Sequence, residues 1–155
     1  MDAETWAALA HHEAAHAVVD VLGGFVVDRV AISPAGGKTD VLGLEDLEGR
    51  KPPRDEYRER AEPYLVGQLA GGFGERSYTG EESDSGDDDR QNAYWLASEI
   101  CPEGESVRSY LDRVAAAASA AVEANWPAIQ AVAQRLIVTK LLSRSELEAM
   151  ISAVR

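Results

Sequence analysis

Three residues between positions 12 and 16 have the types and spacing to hold and use a metal ion. His12, Glu13 and His16 form H-E-x-x-H within "LAHHEAAHAVVD", residues 9 to 20, a stretch that also contains His11 and so holds every histidine of the chain. On a helix, positions i and i+4 lie one above the other, so both imidazoles can reach one ion. Two neutral nitrogens suit Zn²⁺. Such an ion lowers the pKa of bound water towards about 7, and a glutamate one position along the helix takes the proton as that water attacks a carbonyl. His12 and His16 are therefore expected as zinc ligands and Glu13 as the general base. An ionisable run inside "ALAHHEAAHAVV" would be costly to bury without a partner such as a metal, and Ala14 and Ala15 leave room for a close-packed site. His11 faces elsewhere on the helix and is expected at the surface or supporting a ligand, not as a ligand itself.

A hydrolytic zinc takes three protein ligands and keeps one position open. With the histidines exhausted, the third ligand is a carboxylate or Cys101. The metzincin pattern is excluded, because Val19 and Leu22 stand where it needs Gly and His. The candidates are Glu59, Glu62, Glu75, Asp84, Asp87, Asp88, Asp89 and Cys101, and spacing alone does not choose among them.

The elements that must position these residues are mostly helical. Residues 3–22 read as a helix carrying Trp6, Leu9, Ala10, Val18, Val19 and Leu22, stopped by Gly23-Gly24. "FVVDRVAIS", 25–33, reads as a strand, "PAGGKT" as a turn and "DVLGL" as a short returning strand. "EGRKPPRDE" reads as a loop, and residues 54 to about 77 as a helix that Pro63 divides into a short and a main part. "YTGEESDSGDDDR" reads as a solvated loop, with helices following over 88–100, 106–124 and, capped by Asn125 with Pro127 in the first turn, to about Thr139. Ser143 and Glu146 form a capping box for a last helix carrying Leu147, Met150, Ile151 and Val154. The expected architecture is mainly α with a small β element (α+β), as one domain over residues 1–155.

Composition limits the function classes. Fifteen basic against 27 acidic residues leave a net charge of −12, which repels phosphate backbones and anionic headgroups. No nucleic acid and no membrane are expected as partners. The most apolar window, 15–32, is broken by Asp20, Gly23-Gly24, Asp28 and Arg29, and the acidic N-terminus does not read as a signal peptide. A lone cysteine, Cys101, suits a reducing compartment. A soluble, cytoplasmic protein is expected. "AGGKT" is not a phosphate loop, since Ile32 stands where its first glycine is needed.

In order along the chain, "HEAAHAVV", "DRVAISPAGG", "LAGGFGER", "TGEESDSGDDDRQNAYWLA" and "ANWPAIQAVAQRLIVTKLLSRSELEAMI" span nearly its whole length. This set closely resembles the peptidase domain of the FtsH-type, ATP-dependent zinc metalloprotease family. The resemblance implies that Asp89 completes the zinc site: Ala93, Leu96 and Ala97 follow it by four, seven and eight positions, as in the family. Asp88 is the one-residue alternative. Glu75 falls in the "GER" that parallels the family's small-residue helix, and is the next candidate. The resemblance further implies hydrolysis of unfolded or flexible polypeptide laid along a strand edge between Val30 and Leu42, and self-association or a separate ATPase as partner, because the 155 residues hold neither the family's ATPase module nor its membrane anchor. The segment from Gly43 to Pro53 says little about specificity. Any of Tyr57, Tyr64, Tyr78, Tyr94 and Tyr110 could assist an oxyanion.

Two other readings compete. One is a catalytically weak or inactive peptidase-like domain used for binding or regulation with a separate ATPase or partner, its zinc kept for structure. A structural site is normally closed by four protein ligands and has no use for a base, so the intact Glu13 favours the peptidase. The other, a repressor protease linked to DNA binding, lacks a basic patch and a recognisable DNA-binding helix pair.

Overall fold

A computed structural model describes residues 1–44, 54–82 and 87–155. The chain is mainly helical with a small antiparallel sheet, an α+β arrangement. Helix α1 spans Ala3–Leu22, and strands β1 (Val26–Ser33) and β2 (Gly36–Leu42) follow it. Helices α2 (Arg54–Thr79), α3 (Asp87–Ile100), α4 (Val107–Ala124) and α5 (Trp126–Thr139) come next, then strand β3 (Leu141–Ser143) and helix α6 (Arg144–Val154). Among the described residues, no helix is long and apolar enough to cross a membrane.

Helix α1 starts where Asp2 accepts from the Thr5 amide at 2.8 Å, filling an orphan donor of the first turn. It ends at Gly23, and twelve of its residues are buried. Its alanines allow neighbours to approach on several sides. One core cluster joins it to the sheet, α5 and α6 through Val18, Val27, Val30, Ile129, Leu136, Leu142 and Leu147. A second cluster, with Tyr57, Leu65, Ala93, Ile100, Tyr110 and Val114, joins α2, α3 and α4.

The sheet has the order β2-β1-β3. Ser33 pairs with Gly36, so the hairpin loop is only Pro34-Ala35. The turn read over "PAGGKT" is therefore shorter than expected: Gly36 to Thr39 belong to β2, since a two-residue loop suffices to reverse the chain. A bulge between Val27 and Arg29 shifts the alternation by one residue. Val27, Val30 and Ile32 can thus all point inwards while the adjacent charges Asp28 and Arg29 both stay exposed.

Pro63 does not divide α2, which runs unbroken across it. Proline forfeits one backbone hydrogen bond, but Tyr57 and Ala61 before it and Leu65 after it are buried in the same cluster, which holds both parts on one line. Asn125 precedes α5 without a side-chain cap; its amide instead donates backwards to the Ala121 carbonyl at 2.8 Å, closing the end of α4. Pro127 lies in the first turn of α5, and Ser143 and Glu146 form the capping box of α6. Strand β3, which pairs Leu142 with Val30, has no counterpart among the elements expected from sequence. The loop "EGRKPPRDE" falls mostly outside the described residues.

Candidate metal centre

Helix α1 carries His12 and His16 towards α2. The approach is close because α2 presents Gly67, Gly71 and Gly74, at helical spacing, to α1. A Cβ on Gly71 would overlap Nε2 of both His16 and His12, and one on Gly74 would overlap the Ala15 side chain. Gly71 makes room for the imidazoles, Gly74 for Ala15 and Gly67 for Asp20, and none of the three serves a turn.

Each imidazole is oriented through its outer nitrogen. His12 Nδ1 donates to Glu75 Oε2 at 3.0 Å, and His16 Nδ1 donates to the Gly67 carbonyl at 2.8 Å. With both Nδ1–H groups committed, the rings turn their Nε2 atoms inwards. These lie 3.1 Å from each other, and Asp89 Oδ2 lies 2.9 Å from His12 Nε2 and 3.0 Å from His16 Nε2. Asp89 comes from the first turn of α3.

Three lone-pair donors at this spacing repel one another unless a cation or protons sit between them. Bonds of about 2.0–2.1 Å in a tetrahedral zinc site place the donors about 3.3 Å apart, close to the observed triangle. Two imidazoles and one carboxylate, each imidazole backed by an acceptor, also match the chemistry of a Zn²⁺ site. The residues present fit the ion.

Charge interactions within the cluster are strong. Burial opposes a charge on His12, but the hydrogen bonds to Asp89 and Glu75 outweigh it and raise its pKa to about 9. Burial likewise opposes a charge on His16, and Asp89 again outweighs it. Burial would push the Asp89 carboxyl up, yet the two histidines hold it well below the usual carboxylate range. The cluster favours positive charge at its centre.

Glu13 is buried beside this cluster, and its Oε2 accepts from Thr39 Oγ1 of β2 at 2.8 Å. The Asp89 side chain is a third exposed, which leaves the centre open on one side. A cavity of about 240 Å³ adjoins it there, lined by Leu69, Gly72, Phe73, Asp89, Arg90 and Ala115.

The remaining candidates lie elsewhere. Asp87 and Asp88 are exposed at the start of α3, and Asp84 falls outside the described residues. Glu59 is exposed, Glu62 accepts from the Tyr110 hydroxyl at 2.7 Å, and Cys101 donates to the Glu105 carbonyl in the second cluster. Glu75, weighed from sequence as a ligand, instead holds the outer nitrogen of His12. His11 is not at the surface: it is buried, donates to the Ala7 carbonyl at 2.7 Å and stacks on Tyr78 and Trp126. Its position on α1 turns it to the gap between α2 and α5, which only the tertiary packing creates. Tyr57 and Tyr110 are buried in the second cluster, and Tyr94 is exposed against Trp95. Thr39 was missed in the sequence because "AGGKT" reads as a turn; its signal was the small-residue pair Gly36-Gly37 two positions ahead of a β-branched polar residue.

Neither a scan of the chain against models of known protein families nor a search of curated proteins returns a match.

Proposed function

We propose that the chain is a zinc metallopeptidase domain of the FtsH type, in which His12, His16 and Asp89 hold Zn²⁺ and Glu13 is the general base. The observation that carries this reading is the convergence of two Nε2 atoms and one carboxylate oxygen within 3.1 Å, beside a buried glutamate from the same helical turn. Zinc held by His12, His16 and Asp89 would supply Lewis acidity for activating a water and polarising the scissile carbonyl. Glu13 takes a proton from the attacking water and returns it to the leaving amine. Glu75 and the Gly67 carbonyl fix the tautomers of the two histidines. The three-residue donor set and the partly exposed Asp89 favour an open, hydrolytic site over one closed by four protein ligands.

Substrate would be extended polypeptide. In the sheet order β2-β1-β3, strand β2 has β1 on one side only among the described residues, and its other edge can accept a further strand by main-chain hydrogen bonds. That mode is tolerant of sequence and demands an unfolded or flexible chain. Without an unfoldase in these residues, a separate ATPase or a naturally flexible substrate completes the proposal.

The test is cleavage of an unfolded, fluorescently labelled protein by the zinc-loaded chain, with Glu13→Gln beside it. Cleavage by the wild type and a loss of at least about 100-fold in the variant are expected. Zinc binding without cleavage would favour the binding or regulatory reading, and equal cleavage by both would remove Glu13 from the mechanism.

A further inference from the structure

The side chain of Glu13 is held by β2 from two directions. Thr39 Oγ1 donates to its Oε2 at 2.8 Å and lies 3.4 Å from its backbone carbonyl. Gly37, two residues earlier and so on the same face of the strand, abuts the rest of the carboxyl group: a Cβ there would overlap Cγ, Cδ and Oε1 of Glu13. Gly37 does not lie in the left-handed region, so it is needed for space and not for its backbone freedom. The alternate residues Lys38 and Asp40 pair with each other at 3.1 Å, with the Lys38 side chain well exposed. The alternation of β2 thus directs Gly37 and Thr39 at α1.

A glutamate has three side-chain torsions, and a base must hold its carboxylate within a few tenths of an ångström of the reacting proton. A charge-assisted hydrogen bond to one oxygen, together with a wall against the other, restricts those torsions. Thr39 anchors Oε2 and Gly37 lies against Oε1, so the plane of the carboxylate is set by β2. We propose that Thr39, given room by Gly37, is a positioning residue that orients Glu13 for proton transfer. The strand that pairs with substrate then also sets the base. This inference rests on the peptidase reading above.

Thr39→Val keeps the shape and favours a strand, so the fold is retained; Thr39→Ser keeps the hydroxyl. With zinc bound, Thr39→Val is expected to lower kcat about tenfold at unchanged KM and unchanged zinc stoichiometry, while Thr39→Ser stays within about twofold of wild type. The ¹³C resonance of the Glu13 carboxylate, assigned by its loss in Glu13→Gln, should move in Thr39→Val and return in Thr39→Ser. Wild-type kcat in Thr39→Val, equal losses in both variants, or an unmoved Glu13 resonance would overturn the proposal. A wild-type protein that binds zinc and cleaves nothing would instead remove the peptidase reading, and the resonance alone would then decide whether Thr39 orients Glu13.

Discussion

Asp20 continues the line of His12 and His16 by one more turn of α1, and it is 3% exposed. Its Oδ1 has no hydrogen-bond partner among the described residues, and Gly67 leaves it room: a Cβ there would overlap that oxygen. Burial pushes its carboxyl up to about 7, and the nearby His16 pulls only partly the other way. The folded protein therefore binds this proton more tightly than the unfolded chain does. The stability it contributes is full below about pH 4 and is lost as pH rises through about 7. Asp20→Asn removes the effect. In denaturant unfolding with a chelator present, the advantage of Asp20→Asn over wild type should grow between pH 5 and pH 8 by on the order of 2–3 kcal/mol. Parallel pH profiles for the two proteins would mean that Asp20 finds a compensating partner in solution.

The packing of α1 on α2 is the element on which the centre depends. Judged by helix propensity alone, Gly71→Ala should stabilise α2 by about 1 kcal/mol. Packing predicts the opposite, because the added methyl would occupy the space of both Nε2 atoms. Zinc affinity, measured by competition with a chromophoric chelator, should fall at least about 100-fold in Gly71→Ala. Wild-type affinity would mean that the helices sit further apart than described. Much of this arrangement was legible in the sequence, and for definite reasons. The i, i+4 histidines, the 3.6-residue periodicity of α1, and the Ser143/Glu146 box are local patterns that read directly. The mutual approach of His12, His16 and Asp89 is long-range; spacing left eight candidates for the third position, and only the resemblance singled out Asp89. Strand β3 is three residues long and is specified by pairing with β1, not by its own composition. The bulge near Asp28, the continuity of α2 through Pro63 and the burial of His11 are likewise set by what packs against them.

At the scale of the molecule, the centre lies where the two core clusters meet. His12 and His16 belong to the helix around which the first cluster is built, whereas Asp89 opens α3, whose apolar face lies in the second. An ion held by all three side chains ties α3 to α1 across 73 residues of sequence. Such an ion binds the folded chain and not the unfolded one, so it must stabilise the fold by mass action. At free zinc about 100 times Kd the gain is about 2.7 kcal/mol, or roughly 5–11 °C in Tm for a chain of this size. Calorimetry with and without zinc should show that rise in the wild type, its reversal by a chelator, and its loss in Asp89→Ala. If Asp89→Ala keeps the full rise, the histidines bind zinc with another partner, and α3 is not part of the centre. Retention of the rise in Glu13→Gln separates holding the ion from using it. A catalytic and a purely structural zinc both predict that rise, so stability locates the ligands, while cleavage by the wild type against Glu13→Gln decides what the ion is for.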